Sequence, residues 1–141
     1  SKHHIDFFKI LSKDFKNFKL INRAINSKAK KIYLSTGNHS LKSIIRTIKK
    51  IPKKKLVLIY TKFKDTIKEQ ELENIKHFKN KINIPIIFGN HCYDFKIFDN
   101  LKEYDLSSIF VYVKEKNYKS YPDTKHALLI DKIDNLFKKM N

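Results

Sequence analysis

Lys31-Ile32-Tyr33-Leu34-Ser35-Thr36-Gly37-Asn38-His39-Ser40-Leu41-Lys42-Ser43-Ile44-Ile45-Arg46-Thr47-Ile48 runs from β-branched and aromatic residues, through hydroxyls and a glycine, into apolar residues at helical spacing. The first part, Lys31 to Ser35, reads as a strand. It lacks clean polar alternation, as a strand covered on both faces does. The second part predicts an amphipathic helix from Leu41 to Ile51, with Leu41, Ile44, Ile45, Ile48 and Ile51 along one side. Strand, short turn and helix together form the unit that builds parallel sheets.

The unit recurs along the chain. Further strands are expected at Ile5 to Leu11, Lys55 to Thr61, Ile84 to Gly89 and Ser107 to Val113. Helices are expected at Phe15 to Asn26, Thr66 to Phe78, Asp94 to Leu101 and Leu129 to Met140, with Thr66 as a cap and Glu69 three residues on. Only 2 Gly and 3 Pro punctuate the sequence, and Pro122 lies in its one long loop, Lys114 to Lys125. Five consecutive β-α units fit either a small doubly wound sheet or a large piece of an eight-stranded β/α barrel, and composition does not separate them. In both, ligands gather at the carboxyl ends of the strands.

With 141 residues and 41% hydrophobic content, residues 1–141 read as one domain with one core. The single Cys92 excludes an internal disulfide and a Cys-x-x-Cys site, which fits a reducing, cytoplasmic setting. Uncharged apolar runs such as Ile84 to Gly89 are far shorter than a membrane span. The net charge of +17 comes from 29 Lys and only 2 Arg, beside 20 Ile and 12 Asn. These are residues of A/T-rich codons, and nucleic-acid sites lean on Arg, so composition explains much of the charge. The chain opens at Ser1 and enters an apolar run by Ile5, so residues upstream are expected.

Chemistry concentrates at the strand ends. Lys9, Ser12 and Asp14 place an ammonium, a hydroxyl and a carboxylate after the first strand, as an anion holder or as solvated groups. Ser35, Thr36 and Gly37 precede a helix, which makes either an anion site or an ordinary capped turn. After the fourth strand, His91 can ligate a divalent metal with Asn90 or Asp94 nearby, act as acid or base, or stand as a bystander. Cys92 reads as a small buried hydrophobe. Asp123 can accept hydrogen bonds from sugar hydroxyls or simply open a helix.

Taken in order, these segments resemble the sialic acid synthase (N-acetylneuraminate synthase) family. Lys9-Ile10-Leu11-Ser12-Lys13-Asp14 is similar to its Lys-Ile-x-Ser-x-Asp/Glu strand end, and Ile32-Tyr33-Leu34-Ser35-Thr36-Gly37 to its Ile-x-Leu-Ser-Thr-Gly signature. Ile84-Pro85-Ile86-Ile87-Phe88-Gly89-Asn90-His91 looks like its Val-Pro-x-Gly-Tyr-Ser-Asp-His strand. Pro122-Asp123-Thr124-Lys125-His126-Ala127-Leu128 is similar to its Pro-Asp-His-Lys-Ala-Ser-Leu loop. The resemblance implies a partial (β/α)8 barrel of TIM type, about the last five of eight units, without the upstream units or the family's small C-terminal domain.

It also implies an activity: a metal-dependent transferase condenses phosphoenolpyruvate with an N-acylated amino sugar. Lys9, Ser12 and Ser35 would bind phosphoenolpyruvate, Asp14 would be the acidic catalytic residue, Asp123 would hold the sugar, and His91 would ligate Mn2+ or Mg2+. The sequence departs from the family at the second metal His, where Phe110-Val111-Tyr112-Val113 offers Tyr112, and no His lies between His91 and His126. Gly89-Asn90 replaces Ser-Asp, and Tyr60-Thr61-Lys62-Phe63-Lys64 keeps Thr61 without the following Tyr-Pro. The phosphate side is therefore better preserved than the metal side, and the chain alone is not expected to catalyse. Two other readings stand beside this one: a catalytically inactive barrel relative serving as a structural or interaction module, and a basic nucleic-acid-binding module resting on Lys28 to Lys31 and Lys49 to Lys55. A partial barrel has two open sheet edges, so a homo-oligomer or a complementary barrel half is expected.

Overall fold

The computed structural model describes residues 5–116 and 123–140. Five strands, β1 (Phe7–Ile10), β2 (Lys31–Ser35), β3 (Leu56–Tyr60), β4 (Ile86–Gly89) and β5 (Ile109–Phe110), pair in parallel in the order of the sequence. Helices α1 (Phe18–Ile25), α2 (Leu41–Ile48), α3 (Glu69–Lys81) and α4 (Ile97–Leu101) connect them. A doubly wound sheet reverses its strand order at a switch point. This sheet never reverses, so it curls in one direction as a half-barrel, and of the two architectures left open the barrel is the one realised.

The strands divide their side chains between two apolar layers. Ile32, Leu34, Leu58, Tyr60, Ile86 and Phe88 pack outward against helix residues such as Ile21, Ile44, Ile48, Ile75 and Phe78. Their neighbours Val57, Ile59 and Ile87 form a second cluster on the inner face with Tyr33 and Phe110. Successive strand residues point to opposite faces. Because both faces are apolar, the sequence shows β-branched runs and no polar alternation.

Local chemistry sets the helix starts. Asn17 Oδ1 accepts from Leu20 N at 3.1 Å, and Ser40 Oγ accepts from Ser43 N at 3.3 Å, which caps α1 and α2. Helix α3 begins at Glu69, three residues after the expected cap Thr66, because Glu71 Oε2 accepts from Lys68 N at 3.3 Å and its other oxygen pairs with Lys64 at 2.7 Å. Tyr60 Oη donates to Glu71 O at 2.7 Å and fixes α3 against β3. At the opposite end of the sheet, Lys55 Nζ donates to Ser27 O at 2.8 Å and Ile25 O at 3.4 Å, so one lysine of the dense Lys49–Lys55 run serves the C-terminus of α1.

The expected strand Ser107 to Val113 splits. After Phe110 the chain leaves the sheet, and β6 (Val113–Lys114) pairs in parallel with β7 (Leu128–Leu129), with Leu128 N donating to Tyr112 O at 2.7 Å. Backbone hydrogen bonds that β-propensity assigned to one strand are shared here between two partners. A 3-10 turn, Ile130–Lys132, then leads into α5 (Ile133–Met140), which packs on α4 and buries Leu136. Of the long loop, Tyr121 and Pro122 lie outside the described residues. No described helix is long and apolar enough to cross a membrane.

The carboxyl ends of the strands are tied together beyond the ladders. Thr36 Oγ1 donates to Thr61 O at 3.2 Å and accepts from Thr61 N at 3.1 Å, and Asn38 Oδ1 accepts from Phe63 N at 2.9 Å. Between them Gly37 has φ of 52°, and a Cβ there would lie 2.5 Å from the Cβ of Ser12. Gly37→Ala is therefore expected to cost at least about 1–2 kcal/mol of stability. A fall in the urea midpoint with an unchanged m-value checks this, and an unchanged midpoint would contradict the close approach of Ser12.

Candidate functional site

Strand β4 delivers His91 to the open end of the half-barrel. Gly89 carries no Cβ where one would sit 2.8 Å from Ile59 Cγ2, so the strand passes close to β3. The buried Asn90 turns its amide onto its own backbone: Nδ2 donates to Cys92 O at 3.2 Å, and Oδ1 accepts from Cys92 N at 3.1 Å. Asp94 Oδ1 accepts from Lys96 N at 2.9 Å ahead of α4. The two ligand partners expected from sequence neighbourhood are thus committed to the backbone. Cys92 is buried, and burial pushes its thiol up to about 11, which leaves it a small hydrophobe and no nucleophile.

The partners of His91 come from the returning loop. Its ring lies 4.6 Å from that of His126 and 5.3 Å from that of Tyr112. His126 Nε2 lies 3.3 Å from Asp123 Oδ1, and one donor atom from each of His91, Asp123 and His126 falls within 4.8 Å of the others. His126 is 8% exposed, and its Nε2 is buried without a hydrogen-bond partner. A buried imidazole nitrogen with no hydrogen bond, beside a second imidazole and a carboxylate, is a donor set of the kind that holds a borderline divalent metal.

Sequence reasoning missed His126. It lies 35 positions after His91, and the resemblance directed attention to the strand position of Tyr112. The available signal was Asp123 with His126 three residues later, because a 3-10 turn, Thr124–His126, stacks those positions on one side. The turn is held by Lys114 Nζ donating to Thr124 O at 2.7 Å and by the β6–β7 pairing.

The remaining strand-end residues surround this corner. Lys9 extends its ammonium over the rings of Phe110, at 5.2 Å, and Tyr112, at 5.9 Å. Ser12 lies on a 3-10 turn, Ser12–Asp14, against Gly37, and Ser35 is buried at the end of β2. Phe63 spans the two groups, with a ring atom 3.1 Å from the Cβ position of Gly37 and its centroid 4.7 Å from His91. Asp14 is held at the start of α1, where its Oδ1 accepts from Asn17 Nδ2 at 3.3 Å; none of the described contacts joins it to the histidine corner. Thr61, retained from the family pattern, is buried with its hydroxyl unpartnered beside Gly89. An open groove of about 670 Å³ adjoins the corner, lined by Tyr112, Lys114, Asp123, Thr124 and Ile130 among others.

Comparison with known proteins places this geometry. The sequence model of the NeuB family matches residues 1–140. No curated protein matches the chain significantly by sequence. Among solved structures, an N-acetylneuraminic acid (sialic acid) synthetase from Leptospira borgpetersenii serovar Hardjo-bovis, in complex with citrate, superposes with a TM-score of 0.81 at 21% identity, covering 96% of this chain and 48% of that one. A truncated 3-deoxy-D-arabino-heptulosonate 7-phosphate synthase from Thermotoga maritima gives 0.80 at 17%, covering 96% and 56%. A spore coat polysaccharide biosynthesis protein E from Chromobacterium violaceum gives 0.76 at 14%, covering 96% and 42%. At these identities the likeness is one of fold, and the chain spans about half the length of each.

The electrostatics of the corner yield a pH test. Burial, then the neighbouring His126, lowers the His91 pKa from 6.5 to about 4; Asp123 opposes this, and Lys9 adds the smallest push downward. Between those two values the unfolded chain binds a proton that the folded chain refuses, so stability is lost as pH falls from 6.5 toward 4. In the presence of a chelator, His91→Gln is expected to flatten this acid-side slope of the urea midpoint. An unchanged slope would show that His91 titrates normally in the folded chain.

Proposed function

Because this chain belongs to the NeuB family, we propose that it contributes the phosphate and metal corner of a sugar-acid synthase. The reaction would condense phosphoenolpyruvate with an N-acylated amino sugar in the cytoplasm. The observation that carries this reading is the convergence of Lys9, Ser12, Ser35 and His91 at one end of a sheet whose strands never reverse direction. These are the positions that the resemblance marks, and they come from three different strand ends.

Lys9 would neutralise the phosphate, with an ammonium kept on the inner face of the half-barrel by Phe110 and Tyr112. Ser12 and Ser35 would direct hydroxyls toward the phosphate and carboxylate, and Gly37 lets the backbone come close enough for the two segments to act on one anion. Asp14 would take the proton of the water that adds after carbon–carbon bond formation, as phosphate leaves. Asp123, half-exposed beside the 670 Å³ groove, would accept hydrogen bonds from the sugar hydroxyls. A divalent metal, Mn2+ or Mg2+, would polarise the sugar aldehyde when bound at His91. His91 is suited to hold it, since its depressed pKa leaves the imidazole neutral at physiological pH.

Closure of the barrel is part of the same reading. The edges β1 and β5 and the inner-face residue Phe7, which is 54% exposed, would be covered by further β-α units, from a longer chain, a partner or a second copy. A second reading, a catalytically silent barrel relative, draws on one observation: Tyr112 stands where the resemblance expects the family's second metal imidazole.

Calorimetric titration of phosphoenolpyruvate into the folded chain, with and without Mn2+, separates the two. The synthase reading expects saturable binding that Lys9→Met weakens at least about tenfold, the scale of one lost charge-assisted contact of about 1.5–3 kcal/mol. A chain that is folded by circular dichroism and binds no phosphoenolpyruvate would overturn that reading in favour of the silent relative.

A further inference from the structure

We propose that this chain supplies its second metal imidazole from the loop: His126, with His91 and Asp123, forms a two-imidazole, one-carboxylate metal site that replaces the strand ligand lost at Tyr112. The inference deepens the synthase reading and rests on it for the presence of a metal in the barrel mouth, but the ligand set is argued from the geometry of this chain alone.

Position is the first argument. Tyr112 packs against both histidines, its ring 5.3 Å from that of His91 and 4.8 Å from that of His126, while the two imidazoles lie 4.6 Å from each other. The imidazole of His126 therefore reaches the same corner as a side chain from position 112, but from the opposite bank of the β6–β7 clasp. Two donors on metal bonds of about 2.1 Å at a tetrahedral angle stand about 3.4 Å apart. The 3.3 Å between His126 Nε2 and Asp123 Oδ1 already has that spacing, and the ceiling of 4.8 Å for the whole set needs only small side-chain movements to close. Asp123 can make them, because its side chain is 53% exposed.

Satisfaction is the second argument. A buried polar nitrogen without a partner costs roughly 1–3 kcal/mol, and native structures seldom leave one unexplained. Among the described side chains only two buried polar atoms are in this condition, and His126 Nε2 is one of them. Asp123 Oδ1, 3.3 Å away, does not stand in hydrogen-bond geometry and leaves the nitrogen unpartnered. A metal ion between His126, Asp123 and His91 would satisfy Nε2 as an acceptor.

Rigidity is the third argument. A ligand on a loop must be held if it is to do the work of one on a strand. Here the 3-10 turn is fastened at both ends: Lys114 Nζ bonds Thr124 O, Ala127 N bonds Thr124 O at 3.4 Å, and Leu128 N bonds Tyr112 O at 2.7 Å. Leu128, two residues after His126, is thus bonded directly to Tyr112, the residue at the position whose role His126 takes over. Asp123 retains its second carboxylate oxygen for a sugar hydroxyl, so ligation and sugar binding are compatible.

The donor set also predicts which metals bind. Two neutral nitrogens and one carboxylate suit Zn2+, Co2+ and Mn2+, in the order Mn2+ weaker than Co2+, whereas Mg2+ prefers a shell of oxygens.

The test is direct metal binding by the metal-free chain, read by calorimetry with Zn2+, Co2+, Mn2+ and Mg2+ and by the visible spectrum of bound Co2+. The expected result is one site per chain, with Mg2+ weakest. His126→Ala and the closer-fitting His126→Gln should each weaken Co2+ binding at least about 100-fold, the upper end of what losing a mere supporting partner costs. Tyr112→His in the His126→Ala background should recover most of that loss, and Tyr112→Phe alone should change little. Circular dichroism on each variant separates loss of a ligand from loss of fold. Full-strength binding by folded His126→Gln would overturn the relocation, as would the absence of any binding of Co2+ or Zn2+ at millimolar concentration. If that absence coincided with intact phosphoenolpyruvate binding, the relocated site alone would fall; if phosphoenolpyruvate also failed to bind, the synthase reading would fall with it.

Discussion

A parallel sheet must be covered on both faces, and everything in this chain follows from how it meets that demand. Helices α1 to α4 cover the outer face of the sheet. None of the described helices packs on the inner face, which is filled by Tyr33, Val57, Ile59, Ile87 and Phe110 from the strands themselves. A barrel solves the problem in this way, by curling until strand side chains meet across its axis. The curl also directs every strand's carboxyl end toward one mouth. Residues separated by more than one hundred positions, such as Lys9 and Asp123, come under one electrostatic field because the sheet leaves them nowhere else to point.

That constraint explains which parts of the structure were legible in the sequence. Strand β2 was read to the residue and β3 to within one at each end, because a run such as Leu56 to Tyr60, buried on both faces, admits few alternatives. Helix α2 was legible at its start, Leu41, from the spacing of Ile44 and Ile48, but it ends at Ile48, three residues before the expected Ile51. The strand after α4 was not, because Ser107 to Val113 contains no breaker and its division depends on β7, a segment that arrives from beyond the long loop. The start of α3 was misplaced for a related reason. Thr66 has the chemistry of a cap, but Glu71, fixed by Lys64 and by the tie between β3 and α3, places the cap at Lys68 and the first turn two residues later.

The candidate site was legible where a strand fixes it and illegible where a loop does. Lys9, Ser12, Ser35 and His91 leave strands, so their neighbourhood follows from topology. Asn90 and Asp94, plausible companions of His91 by proximity in sequence, are turned to backbone groups by hydrogen bonds that no spacing rule predicts. His126 gains its importance only when the β6–β7 pairing folds the loop back. The +17 charge divides among different uses. Lys55 serves a helix end and Lys114 clasps a loop, so at least part of the lysine excess works within the fold.

Coordination depends on where a donor atom stands in space and is indifferent to the path the backbone takes to bring it there. A β/α mouth is built from many converging segments, so the same cubic ångströms can be reached from several of them. The exchange of a strand imidazole for a loop imidazole is physically inexpensive under one condition: the vacated strand position must be filled by something that packs and does not compete. Tyr112 meets it. Burial, with the nearby Asp123 carboxylate, raises its phenol above the ordinary value, which favours the neutral ring. Its ring packs at T-shaped angles against His91 and His126, and the Lys9 ammonium lies 5.9 Å from its centroid. In the proposed arrangement, the residue that looks like the loss of the metal site would be the wall against which the site is built.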